Sequence, residues 1–177
     1  MRATDSLFVA GAITKKADFG SSMLRRFAEV ETRSGIRLGL PQKILLAETG
    51  TVEQVLSVLT NSTVRVKVIE QKENEKIITR QSVLMSDAGK VLIKALTKVY
   101  KPNLPTKVVS QIRRKESGIG TIIANSGIET FRRIVEVGYD PKSRLIFRKY
   151  KIICRKKVAF DIREELVGIE YSGPGGI

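Results

Sequence analysis

Histidine and tryptophan are absent from this 177-residue sequence, and cysteine occurs once, at Cys154. With no imidazole and a single thiol, the usual ligand sets for structural or catalytic zinc cannot be assembled. A Ser-His or Cys-His nucleophile pair is excluded for the same reason. A lone cysteine cannot close an internal disulfide, so nothing points to an oxidising compartment. No GxGxxG string and no GxxxxGK followed by Ser or Thr occurs, which leaves phosphate-cradling loops unsupported. No apolar run approaches the length that spans a bilayer, and Met1 opens no signal-peptide pattern, so the expectation is a cytoplasmic protein with no membrane partner. The side chains left for chemistry are Arg, Lys, Glu, Asp, Tyr, Ser and Thr. They work by positioning and electrostatics, and imply neither metal nor cofactor.

Acids are also scarce: Lys and Arg outnumber Asp and Glu 32 to 18, for a net charge of +14. From Pro141 to Lys157 the chain carries Lys142, Arg144, Arg148, Lys149, Lys151, Arg155, Lys156 and Lys157 with no acid among them. Such a run binds nucleic acid, or sets up a field that draws in a small polyanion, or is a solvated strand face. No string of aromatics that could stack bases sits beside it, so nucleic acid is the least supported partner. The length and the 42% hydrophobic content suit one ordinary domain with its own core.

Residues 1–40 read as an extension packing on a core domain over 41–170, and 171–177, with Gly173-Pro174-Gly175-Gly176, as a frayed tail. Within the extension, Ser21 or Ser22 caps a short helix with Met23, Leu24, Phe27 and Val30 on one face. Gln42 to Glu48 is a short helix stopped by Gly50, and Thr51 caps a second with Val52, Val55, Leu56 and Leu59 on one side. Val64, Val66 and Val68 alternate with Arg65 and Lys67 as a half-buried strand. Lys76–Ser86 and Lys90–Tyr100 are two more, joined by a tight turn at Asp87-Ala88-Gly89. A helix from Thr106 to about Lys115 follows, then a flexible turn at Ser117-Gly118-Ile119-Gly120. Strands at Glu129–Tyr139, Arg144–Cys154 and Val158–Val167 close the chain, with a turn at Asp140-Pro141-Lys142-Ser143 between the first two. This order predicts an α+β fold with a single antiparallel sheet and helices on one face.

Two charged residues interrupt apolar faces. In the last strand Val158, Phe160, Ile162, Glu164 and Leu166 share one side by period two, so Glu164 points inward. An unpaired buried carboxylate is costly and needs a partner or a proton. Its neighbour Glu165 takes that place if a one-residue bulge shifts the strand, and an internal pair with Lys or Arg is the plainer reading of either. Arg80 shares a face with Ile78, Ser82 and Leu84. It is either a rim residue with its head in water or a fork that grips a carboxylate.

The order of segments from about Leu45 to Leu166 resembles the chorismate lyase family. The likeness lies in Leu45-Leu46-Ala47-Glu48-Thr49-Gly50-Thr51, in Arg80-Gln81-Ser82-Val83-Leu84 and in Gly118-Ile119-Gly120-Thr121-Ile122-Ile123. It continues in Arg148-Lys149-Tyr150-Lys151-Ile152 and Ile162-Arg163-Glu164-Glu165-Leu166. The resemblance implies about six antiparallel strands, with helical flaps enclosing a small anionic aromatic or cyclic carboxylate. By it, Arg80 binds the ring carboxylate with help from the backbone N–H of Ile119 in the Gly118–Gly120 turn. Glu164 accepts the hydroxyl at the other end, and Thr51 lies in a flap near the ligand. Lyases of this family split chorismate into 4-hydroxybenzoate and pyruvate without metal or cofactor. Gly118 stands where proline is usual in that turn, and Gly50 replaces a bulkier residue. The competing reading is a sensor that binds without turnover, as in the UTRA ligand-binding domains of transcription regulators, which are similar in fold.

Overall fold

The computed structural model describes residues 18–169. Residues 1–17 of the extension and the tail at 171–177 lie outside them. The helices are α1 (Phe19–Ser34), α2 (Leu40–Ala47), α3 (Val52–Thr60), α4 (Thr106–Arg114) and α5 (Ile119–Ser126). The strands are β1 (Val64–Glu73), β2 (Ile77–Ser86), β3 (Val91–Tyr100), β4 (Thr130–Asp140), β5 (Leu145–Cys154) and β6 (Lys157–Leu166). All strand pairs are antiparallel, in the order β1-β2-β3-β6-β5-β4. The expected α+β architecture is what the structure shows: two three-stranded meanders joined where β6 pairs with β3. The chain between β3 and β4, which holds α4 and α5, carries β4 to the far edge.

Strand alternation puts the core on one side of this sheet. On β2, Ile78, Arg80, Ser82 and Leu84 are buried while Gln81 between them is exposed; on β3, Lys94, Leu96 and Lys98 are exposed while Ile93, Thr97 and Val99 are not. The inner face packs with Met23, Phe27 and Val30 of α1, Leu45 and Leu46 of α2, Leu56 of α3, Val108 and Ile112 of α4, and Ile122 of α5 in one apolar cluster. No helix among the described residues is long and apolar enough to cross a membrane.

Four details differ from the sequence reading. Asp18, rather than Ser21 or Ser22, caps α1: its Oδ1 accepts from the Ser21 backbone N–H at 2.9 Å and its Oδ2 from the Ser21 hydroxyl at 2.9 Å. The helix therefore starts earlier, and Leu24 is 65% exposed because the buried stripe runs at 23, 27 and 30. Gly118-Ile119-Gly120 is not a free turn, since Gly118 is the N-cap of α5 and Ile119 and Gly120 form its first turn. The last strand does carry a bulge, but at Ala159: Ile152 pairs with Phe160 while Ile153 pairs with Val158. That displaces Val158 from the inner face and leaves Phe160, Ile162, Glu164 and Leu166 inward, in unbroken register with β3 from Val99 to Ile93. The bulge lies too early to exchange Glu164 for Glu165, whose carboxylate accepts from Arg163 Nε at 3.0 Å on the outer side.

Candidate functional site

The middle of the inner face is hollow because β2 and β3 carry small side chains there. Ser82, Ala95, Glu164 and Arg148 lie on one rung across four strands, and Arg80, Thr97, Ile162 and Tyr150 on the next. Over Ser82, Ala95 and Thr97 no large side chain fills the space beneath the helices. The result is a small cavity, with room inside for about 40 Å³, that opens to solvent at its mouth. Ile162, Glu164, Tyr150 and Ile152 complete its floor. Its roof is Gly50 and Thr51 between α2 and α3, Val52 and Glu53 of α3, and Gly118–Gly120 at the start of α5. Arg132 of β4 closes one side. The Thr51 methyl stands 3.1 Å from where a Cβ on Gly120 would lie, so the two segments of the roof meet closely here.

Glu164 is held on both oxygens. Arg148 Nε donates to Oε2 at 2.8 Å, and the Tyr150 hydroxyl donates to Oε1 at 2.9 Å. Arg148 also donates from Nη1 to the Glu48 carbonyl at 2.6 Å, lies 3.6 Å from the Glu48 carboxylate, and stands over the Tyr150 ring at 4.8 Å. Burial, the largest single effect, works against the Arg148 charge, but the attractions of Glu164, Tyr150 and Glu48 together outweigh it and raise its pKa. Burial, reinforced by the charge of Glu164, pushes the Tyr150 hydroxyl well above its ordinary range. Tyr150 therefore stays protonated and donating, and Glu164 is presented as an acceptor.

Arg80 occupies the opposite side. By strand spacing its Cα is about 12 Å from that of Glu164, two strands and two residues away. It is 1% exposed; Nη2 donates to the Ser117 carbonyl at 2.6 Å, while Nε and Nη1 are buried with no hydrogen-bond partner. Burial lowers its pKa, and the charge of Glu53 partly restores it. Arg132 donates from Nη1 to the Thr49 carbonyl at 2.9 Å, and its Nε is buried without a partner. Among the described residues no three His, Cys, Asp or Glu side chains gather to hold a metal.

Of the residues singled out in the sequence, Thr51, Ile119, Gly120 and Glu164 line the cavity. Arg80 does not: it donates to the carbonyl of Ser117, just before the N-cap of α5, and pairs across the sheet with the lining residue Thr97. Glu53 and Arg132 escaped the sequence reading. An acid in the first turn of a helix reads as a partner for the helix dipole, and an arginine on an edge strand reads as solvated. The basic run hid the role of Arg148, which is 2% exposed, not on a solvated face. A signal was present: Ile146, Arg148, Tyr150, Ile152 and Cys154 share one face by period two.

No family model matches the chain. Chorismate pyruvate-lyase of Mycobacterium leprae is 29% identical over 140 residues, an alignment that covers 63% of this chain and 67% of that protein. Among solved structures, the ligand-binding domain of a Bordetella bronchiseptica chain described as a GntR-family transcriptional regulator aligns with a TM-score of 0.41 and 7% identity, over 64% of this chain and 88% of that one. The resemblance read from the sequence is borne out by the first of these similarities: the chain is similar to a chorismate pyruvate-lyase.

Proposed function

We propose that this chain binds a cyclic or aromatic carboxylate in the inner-face cavity, and that its reaction is the elimination of pyruvate from chorismate to leave 4-hydroxybenzoate. The observation that carries this reading is the charge around the cavity: Arg80, buried with two unpartnered nitrogens, lies behind the lining at one side, and Glu164, buried and held on both oxygens, belongs to the lining at the other. A ring carboxylate placed at the start of α5 meets the first-turn N–H groups of Ile119 and Gly120, and the Arg80 charge behind them. The ring hydroxyl then donates to Glu164. Arg132, with Nε unpartnered, is the cation available to the second carboxylate of a dicarboxylic substrate.

Aromatisation drives the chemistry, so the site has mainly to hold a reactive conformer and stabilise charge moving toward the departing enolpyruvyl oxygen. No metal or cofactor enters this scheme. A second reading, binding without turnover, is favoured by the same ligation of Glu164: both its oxygens are engaged by Arg148 and Tyr150, which suits an acceptor better than a proton carrier.

Incubating the purified protein with chorismate while following 4-hydroxybenzoate and pyruvate separates the two. Product above the uncatalysed rate supports the lyase; none, alongside tight 4-hydroxybenzoate binding, leaves only the binder. In either case Arg80→Ala should abolish ligand binding in a protein that still folds. Retained binding in that variant removes Arg80 as the carboxylate anchor.

A further inference from the structure

Glu53 sits in the first turn of α3, yet its carboxylate is committed to a different helix. Oε2 accepts from the Thr121 hydroxyl at 2.6 Å, and Thr121 is the third residue of α5. The same carboxylate lies against the bare Cα of Gly118, where a Cβ would stand 2.7 Å from Oε1 and 2.9 Å from Oε2. On the other side of this helix start is Arg80, 1% exposed, with one nitrogen on the Ser117 carbonyl and two that have no partner. The Glu53 carboxylate, from the roof of the cavity, thus lies against the start of α5, and its charge acts on Arg80.

We infer that Glu53 is a built-in competitor for the ligand's carboxylate: an anionic ligand must displace it from the start of α5, and that displacement unlatches α3 from α5 above the cavity. This rests on the reading of the cavity as a carboxylate site. The geometry explains why an acid on the cavity roof is compatible with an anionic ligand. Glu53 holds the flap shut and neutralises the anchor while the site is empty. It leaves when a second negative charge arrives, because two carboxylates cannot share one helix start and one guanidinium.

The test is calorimetric titration of 4-hydroxybenzoate and of its neutral analogue 4-hydroxybenzamide into the full chain, its E53Q variant and its T121V variant. Glu53→Gln should bind 4-hydroxybenzoate about tenfold more tightly, the equivalent of one lost hydrogen bond to a charged group, with the amide changing less than about twofold or not binding at all. Thr121→Val, which keeps the charge of Glu53 but cuts the latch, should show a smaller gain, and decides the matter should E53Q not fold. Unchanged or weaker 4-hydroxybenzoate binding in the folded variants overturns the inference and leaves the carboxylate site standing. An equal gain for acid and amide also overturns it, since the variant then only loosens the flap. Failure of all three proteins to bind 4-hydroxybenzoate removes the carboxylate site and the competitor with it.

Discussion

Replacing Arg148 with methionine removes the cation from the centre of the buried network while keeping most of the side-chain volume. Glu164, 4% exposed, would keep only the Tyr150 hydroxyl, and the Glu48 carbonyl would lose its 2.6 Å donor. Breaking a buried ion pair from one side costs about 3–5 kcal/mol, because the other charge is left uncompensated. The upper part of that range applies here, since Arg148 serves Glu164 and both the carbonyl and the carboxylate of Glu48. A loss of about 4 kcal/mol is a large share of the roughly 5–15 kcal/mol that stabilises an ordinary domain. At this chain length it corresponds to a fall in Tm of about 10 °C. With no tryptophan in the sequence, urea unfolding followed by circular dichroism is the suitable assay. Adding Glu164→Gln to the Arg148→Met protein removes the stranded charge and should recover at least about 2 kcal/mol, giving a strong coupling in the double-mutant cycle. A single variant within about 1 kcal/mol of the parent, or a double variant as unstable as the two losses added together, refutes the reasoning.

Two further perturbations probe parts of the fold away from the cavity. A Cβ at Gly138 would stand 2.6 Å from Cζ of Phe147, whose ring lies 3.8 Å below the Arg163 guanidinium, so Gly138→Ala must expel the ring or bend β4. The expected cost is about 1–3 kcal/mol in urea unfolding, and a change under about 0.5 kcal/mol means the ring moves aside freely. Glu73 is held by Arg113 Nη2 at 2.7 Å, by Arg113 Nε and by Lys101, hydrogen bonds that lower its pKa from 4.5 to about 2. A carboxylate held below its unfolded value contributes stability above that value and loses it as pH falls, here between 4.5 and about 2. Because the pair is partly solvent-screened, Glu73→Gln should flatten the acid limb of the stability curve by only about 1 kcal/mol. Parallel acid limbs for parent and variant contradict the assignment.

Much of the architecture was legible because its causes are local. Alternation places Ile78, Arg80, Ser82 and Leu84 on one side of β2 whatever the strand packs against, and the same period turns Phe160, Ile162, Glu164 and Leu166 inward on β6. Asp87-Ala88-Gly89 announces a turn, and Gly89 adopts a positive φ of 78° in it. The Gly118–Gly120 segment was misread for a converse reason. Two glycines in three residues give a helix start little intrinsic propensity, and what orders it is the packing of Thr51 and Glu53 against it.

By itself, then, the sequence determined that the chain is α+β with one antiparallel sheet, and that Arg80 and Glu164 face inward. Only the tertiary structure decided what those residues meet. Glu164 is satisfied by Arg148, 16 residues away; Arg80 reaches Ser117, 37 away; Glu53 is fastened by Thr121, 68 away; and Arg148 bridges to Glu48, 100 away. Side-chain direction follows from backbone geometry over two or three residues, whereas a partner follows from strand order and helix packing, which no short window of sequence contains.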